Sequence, residues 1–220
     1  IVTVLTRMKE RDIHHVVMAG KLSRPPLKAL KPPILASKIV ARLGKALFSG
    51  DDALFKAIVS LFEEEGIEVI GADDITHDLL APEGLLTTTV PDREMRQDID
   101  KGIRIAKQIG ALDIGQAILI KQGRVLGVEA LEGTDALIDR CKDLGEPGVG
   151  GVLIKMHKPG QERRIDLPAI GPDTIAHLAD AGFAGVAVEA GNALMIRCAE
   201  LIAQANARNI FVLGFHNDEQ

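Results

Sequence analysis

The segment GQERRIDLPAIGP, Gly160 to Pro172, sets Glu162, Arg163, Arg164 and Asp166 between a glycine turn and a Gly171-Pro172 helix start. Lys155 and Lys158 stand just upstream, and Pro168 follows the aspartate by two residues. One carboxylate beside two guanidinium groups admits two readings. The plain one is a structural salt bridge between Asp166 and a neighbouring arginine, which contributes about 0–1 kcal/mol if exposed. The other is a phosphate site. Basic side chains such as Lys158 and Arg164 would neutralise anionic oxygens, while Asp166 holds a metal ion or orients a water. Phosphoryl-type hydrolysis needs these components. Pro168 would restrict the backbone beside the acid.

Four other stretches put polar groups just past expected strand ends or at helix starts, where open α/β sheets bind ligands. In GKLSRPP, Ser23 and Arg24 could hold a phosphate, since an arginine offers a planar fork of donors. A surface turn shaped by two prolines is the alternative. In SGDDALF, Asp51 and Asp52 read as caps and dipole partners of a helix, or as oxygen ligands of a divalent ion. In EALEGTDAL, Glu129, Glu132, Thr134 and Asp135 crowd together. Such carboxylates repel unless a cation, a basic residue or a hydrogen-bond donor sits among them. Capping of the next helix by Gly133-Thr134-Asp135 is the simpler role. In VAVEAGNAL, Glu189 ends a strand, and Gly191-Asn192 would let the next helix begin close to a ligand. An ordinary strand-to-helix turn is again the alternative. The histidines, at 14, 15, 77, 157, 177 and 216, have no ligand-spaced His or Cys partner, which argues against zinc. P-loop, G-x-G-x-x-G and G-x-S-x-G patterns are absent.

The elements that must position these groups alternate between helix and strand. A helix from Ile1 feeds a short buried strand at His15–Met18, half of a βαβ unit. The strand that should precede it is missing, so the chain is expected to be a fragment or to lack its beginning. Helices are expected over about Leu35–Phe48 and Asp51–Glu65, then a strand at Ile67–Ile70. APEGLLTTTV, from Ala81 to Val90, has no helical period and reads as a linker. A helix capped by Asp92 follows. Ala117–Ile120 and Val125–Val128 form a β-hairpin around Gln122-Gly123. Next come a strand at Gly151–Met156, a helix opened by Pro172, a strand at Gly185–Val188, a helix over Ala193–Ala207 and a strand at Ile210–Leu213. The tail from Phe215 is expected to fray. The fold class is α/β with two domains. Residues 1–81 are the remainder of an N-terminal Rossmann-like, nucleotide-binding-like domain truncated at its start. Residues 82–91 are the linker, and 92–220 a C-terminal mixed α/β sheet with a β-hairpin.

Bulk composition removes several function classes. The 220 residues carry a net charge of −5, which disfavours general nucleic-acid binding. Aromatics are 3%, with no Trp or Tyr to stack on bases. A hydrophobic fraction of 46% suffices for a sizeable core, yet no apolar run approaches a membrane span of about 20 residues. No signal peptide is expected, and the sequence shows no internal repeat. Cys141 and Cys198 read as two reduced or buried thiols of a cytosolic protein.

Taken in order, AGKLSRPP, GDDALF, FEEEGIEVIGA, DIDKGIRIAKQIGALDIGQ, VEALEGTDA, KPGQERRIDLPAIGPDTI and GVAVEAGNAL span nearly the whole chain. This ordered set resembles the UDP-2,3-diacylglucosamine pyrophosphatases of lipid A biosynthesis of the LpxI type, unrelated to the calcineurin-like metallophosphatases. The family's initial strand and glycine-rich turn are missing, and the segment between Cys141 and Gly151 is short for it. The resemblance implies an active cleft between two domains. It also implies Mg²⁺-dependent hydrolysis of UDP-2,3-diacylglucosamine to UMP and 2,3-diacylglucosamine 1-phosphate (lipid X). The aspartate of the R-x-D-L-P motif, essential in the family, is Asp166 here. Glu132, Asp135 and Asp166 are the expected metal ligands. Ser23, Arg24, Lys158, Arg164, Glu189 and Gly191 are the expected substrate and phosphate contacts. The partner is a lipid-linked nucleotide sugar, with no nucleic acid. The expected location is the cytoplasm, peripheral on the inner leaflet of a bacterial inner membrane, and a homo-oligomer is compatible with it. Two competing readings are a non-catalytic protein that binds a nucleotide sugar or anionic lipid, and an α/β enzyme acting on another sugar phosphate.

Overall fold

A computed structural model describes residues 2–20, 46, 51–144 and 150–217. Ser23, Arg24 and, apart from residue 46, the helix expected over 35–48 lie outside the described residues. The chain divides into two compact units. One comprises Ile1–Thr76 together with Gln161–Asp166, and the other His77–Gly160 with Leu167–Gln220.

In the first unit, α1 (Val2–Glu10) leads into β1 (His15–Val17). After α2 (Asp51–Glu64), β2 (Glu68–Ile70) pairs with β1 in parallel, His15 opposite Glu68. The short α3 spans Ala72–Ile75. Leu54, Ile58, Leu61 and Phe62 recur at helical spacing along α2, and they form the core with Leu5, Met8, Ile67 and Val69. The expected helix–strand order and parallel pairing are both found.

The second unit is built on a six-stranded mixed sheet in the order β3-β10-β8-β6-β4-β5. Its strands are β3 (Gly84–Leu85), β4 (Ala117–Lys121), β5 (Arg124–Val128), β6 (Val152–Lys155), β8 (Gly185–Glu189) and β10 (Phe211–Phe215). β6, β8 and β10 are parallel, and β4 and β3 run antiparallel to their neighbours. The central strands β6 and β8 are apolar up to their last residues, Lys155 and Glu189, as burial on both faces requires. On one face lies α4 (Arg93–Ala111), with Gly102 set so close to Ile154 that a Cβ there would come within 2.5 Å of its Cδ1. Asp92 caps α4 as expected, its Oδ1 accepting the Met95 N–H at 2.8 Å. The other face is packed by α5 (Thr134–Cys141), α6 (Pro172–Asp180) and α7 (Cys198–Ala207).

The β4–β5 hairpin turns at Gln122 (φ 50°) and Gly123 (φ 70°), the pair of positive angles that a two-residue hairpin turn requires. Asp98 of α4, buried, accepts both turn N–H groups, at 2.8 and 2.6 Å. Cys141 and Cys198 are free thiols.

Three local expectations are corrected. The stretch read as a linker supplies β3, which pairs with β10 at Gly84–Gly214, and buried Thr87 accepts the Val212 N–H at 3.0 Å. Strand pairing through backbone groups needs no side-chain period, so two residues left no pattern. The helix expected from Ala193 begins at Cys198. Leu194–Met195 first forms β9, paired in parallel with β7 (Ala169–Ile170), and the left-handed Arg197 (φ 52°) then turns the chain into α7. Phe215, expected to fray, ends β10 opposite Glu189 and is buried.

On the surface of this unit, the His177 ring Nδ1 lies 2.8 Å from Asp139 Oδ1. That hydrogen bond raises the His177 pKa, partly opposed by desolvation. A raised folded pKa means the pair's stabilisation is complete below the unfolded value of about 6.5 and is lost as pH rises through the folded value. Thermal melts should therefore show stability declining from pH 6 towards pH 8, with a shallower slope in His177→Gln. An identical slope in the variant would remove the pair as its source.

Candidate functional site

Strands β5, β6, β8 and β10 of the second unit all end on one edge of the sheet, and there Glu129, Lys155, Lys158 and Glu189 are buried. Glu189 closes β8 and is 3% exposed. Its Oε2 accepts the His157 N–H at 2.9 Å, while Oε1 faces Asn192 Nδ2 at 3.1 Å and Asn217 Nδ2 at 3.4 Å. One carboxylate thus ties together the segments that leave β6, β8 and β10. A buried carboxylate satisfied in this way is stable only while its donors stay. Glu189→Gln puts an amide donor against these donors and should cost about 1–3 kcal/mol. A melting temperature equal to the parent's would show that the knot contributes nothing.

Lys155, at the end of β6, is 6% exposed. Its Nζ donates to Thr134 Oγ1 at 2.7 Å and to the Ala169 carbonyl at 2.9 Å. Thr134 in turn donates to Glu129 Oε1 at 2.7 Å, so a hydroxyl links the buried cation to a buried acid. Glu132 is engaged elsewhere. Arg140 Nε and Nη2 meet its Oε1 at 3.0 and 2.8 Å. A hydrogen bond from its own backbone N–H, then Arg140, holds the Glu132 pKa below the usual range. Glu132 is therefore satisfied by Arg140 and Glu129 by a threonine hydroxyl, while Asp135 is exposed. Thr134 opens α5, but the helix N-terminus at Gly133 has no side-chain cap. Lys158, expected to bind phosphate, is a nearly buried cation paired with Asp113 at 2.7 Å. Gly191 (φ 70°) lies in an exposed turn leading to β9, not at a helix start, which corrects the expected role of Gly191-Asn192.

In the first unit, residues 161–166 form a tight turn. The Ile165 and Asp166 N–H groups both donate to the Glu162 carbonyl, at 3.2 and 3.0 Å. Both arginines of the opening motif have carboxylate partners. Arg163 Nη2 meets Asp73 Oδ2 at 2.9 Å. Arg164 grips Glu162 with Nε and Nη2, each at 2.8 Å, and reaches Glu63 with Nη1 at 2.5 Å. The guanidinium holds the Glu162 carboxyl below its usual range, and the two acids raise the Arg164 pKa. The Glu162 N–H donates to Asp52 Oδ1 at 3.0 Å, while Asp52 Oδ2 pairs with Lys56 at 2.7 Å. Asp166 itself is half-buried and accepts from Gln161 Nε2. Just beyond, buried Pro168 gives its carbonyl to the Leu194 N–H at 2.8 Å, so the chain after Asp166 is anchored by the β7–β9 pair.

Among the described residues, no group of three or more His, Cys, Asp or Glu side chains is placed to hold a metal ion. Asp166 belongs to the first unit, whereas Glu132 and Asp135 belong to the second. The donor set does not fit a cage made wholly of protein ligands. Mg²⁺ asks less of a protein, as few as one or two carboxylates when substrate phosphates and waters complete its octahedron.

Sequence reasoning missed Asp73, Glu63, Arg140, Asp113 and Asn217. Asp73, Glu63 and Asp113 are ion-pair partners 45 or more positions away, with no local signal, while Arg140 stands eight positions from Glu132. Asn217 had one, since it stands two residues beyond a strand that shares the Glu189 edge, but the fraying expected there hid it.

The fold and these sites define a two-unit α/β protein with buried polar groups gathered at strand ends. Its two parts match known families separately: the LpxI N-terminal domain over residues 1–79 and the LpxI C-terminal domain over residues 82–213. UDP-2,3-diacylglucosamine pyrophosphatase LpxI of Caulobacter vibrioides is 43% identical over 211 residues, covering 93% of this chain and 75% of that protein. The chain belongs to the LpxI family.

Proposed function

We propose that the protein hydrolyses the diphosphate bond of UDP-2,3-diacylglucosamine, releasing UMP and 2,3-diacylglucosamine 1-phosphate, in lipid A biosynthesis. The observation that carries this reading is the 43% identity to a pyrophosphatase of that name along 93% of the chain, spanning both family domains. Water attacks the α-phosphorus, and Asp166 orients it. The acid suits this role because it sits half-buried on a turn whose arginines have acids of their own. Mg²⁺, held by Asp166 together with substrate oxygens, would supply charge neutralisation at the diphosphate. Glu132, also expected as a metal ligand, is already held by Arg140 within its own unit.

The substrate carries acyl chains, yet no described helix is long and apolar enough to cross a membrane. Peripheral contact with the lipid surface is the reading we favour. Leu112, Ile114 and Leu131 stand exposed at 71%, 49% and 96% on the loops around the strand-end edge. Those loops are joined where the Gln116 N–H donates to Glu129 Oε2 and the Gln116 carbonyl accepts the Met156 N–H.

The test is a ³¹P spectrum of the full-length protein with UDP-2,3-diacylglucosamine, with and without chelator. UMP and a lipid 1-phosphate should appear, and chelation should stop both. Binding without either product would overturn hydrolysis in favour of a binding protein.

A further inference from the structure

The turn that carries Asp166 is inserted in sequence between two stretches of the second unit, yet residues 161–166 pack as part of the first. Ile165 packs against the first unit's core. The remaining ties are polar and unequal. Arg164–Glu63 is exposed by 35% and 43%, and solvent weakens such a pair. From this turn Asp52 takes a backbone N–H, that of Glu162 at 3.0 Å, its other oxygen being held by Lys56. Asp73 differs. Its side chain is 9% exposed, though that of its partner is 40% exposed, and its Oδ2 lies 2.9 Å from Arg163 Nη2. The carboxylate lies over Gly71, where a Cβ would come within 2.5 Å of Asp73 Oδ1. The Gly71 N–H is in turn held by Asp74 Oδ2 at 2.8 Å. The acid is thus seated closely on Gly71, where a larger residue would displace it, and pairs with a guanidinium of the Asp166 turn.

We infer that Asp73 is a positioning residue for Asp166, acting through Arg163 to fix the turn on which the acid sits. The inference rests on the proposed role of Asp166. An ion pair with one buried partner is directional and stiff, because leaving that carboxylate unpaired is costly. Three residues from Arg163, the Asp166 carboxylate inherits that stiffness through the Glu162–Asp166 hydrogen-bonded turn. Misplacing a reacting group by about 1 Å can cost on the order of 10²-fold in rate.

A mutant cycle separates positioning from mere stability. Asp73→Leu, Arg163→Met and the double variant are made in the full-length protein and assayed for kcat, KM and melting temperature, with Asp166→Ala alongside. Each single variant should lower kcat by about ten- to a hundredfold with KM little changed. The double variant should recover the melting temperature lost in Arg163→Met, since no unpaired buried acid remains, yet keep the low kcat of the singles. Recovery of kcat together with melting temperature would reduce the pair to a structural brace. A much larger loss in Arg163→Met than in Asp73→Leu would give Arg163 a role independent of Asp73. Either result overturns the inference, as does wild-type kcat in both singles. Failure of the underlying reading is distinct: Asp166→Ala itself would then turn over normally.

Discussion

Asp166→Ala should lower turnover of UDP-2,3-diacylglucosamine by roughly 10²–10⁴-fold, the scale for a group that handles a proton or water in the transition state. The folded state should survive. Asp166 is half-buried, and the turn beneath it is closed by backbone bonds to the Glu162 carbonyl that the substitution leaves in place. Asp166→Asn sharpens the test, because it keeps the size of the side chain and lets the Gln161 amide reorient, but removes the negative charge. A metal ligand or water-orienting base fails in both variants. A side chain that only shapes the turn fails in the alanine variant and works in the asparagine one. Near-normal kcat in Asp166→Asn, with the expected products, would therefore remove the acid from the chemistry.

Elements whose signals are local were readable in the sequence. The Asp92 cap, the Gln122-Gly123 turn and Pro172 at the first position of α6 each act within a few residues of themselves. Buried parallel strands were readable too, because β6 and β8 must be apolar on both faces. What escaped is set by distant backbone. β3 and β9 are strands of two residues, defined by partners 128 or so and 25 positions away, as Leu85–Leu213 and Ala169–Leu194 show. The candidate site divides in the same way. Glu189 was legible as an acid at a strand end. Its knot with His157, Asn192 and Asn217 was not, since three separate loops converge on it. Arg163 and Arg164 were legible as cations near an acid, but the acids they pair with include Asp73 and Glu63, about ninety and a hundred positions away. Charge spacing named the groups correctly and could not choose their partners.

The unpatterned β3 edge leads to the largest stability effect expected. Gly214 of β10 pairs with Gly84 on one side and Val188 on the other. The chain entering β3 crosses directly over it, so that a Cβ at position 214 would lie 1.9 Å from the Pro82 carbonyl oxygen. That obstacle is backbone, and it is anchored nearby. Ala81 donates its N–H to the Ala193 carbonyl at 2.8 Å and accepts from the Gly191 N–H at 2.9 Å. Relief would require either prying β3 from β10 or tearing these bonds. Overpacking a core costs about 1–3 kcal/mol and occasionally more, and an immovable neighbour puts Gly214→Ala at the upper end. At roughly 2–4 °C per kcal/mol, melting should fall by about 6–12 °C. Gly182→Ala is the matched control. Gly182 has φ 75° and nothing within 4 Å of its would-be Cβ, so it carries only the strain of a left-handed backbone, about 1–2 kcal/mol. Because Phe215 pairs with Glu189, displacement at 214 should also loosen the carboxylate knot, and Gly214→Ala with Glu189→Gln should cost less than their separate losses added. If Gly214→Ala melts no lower than Gly182→Ala, the close crossing of Pro82 over β10 is not how this edge is built.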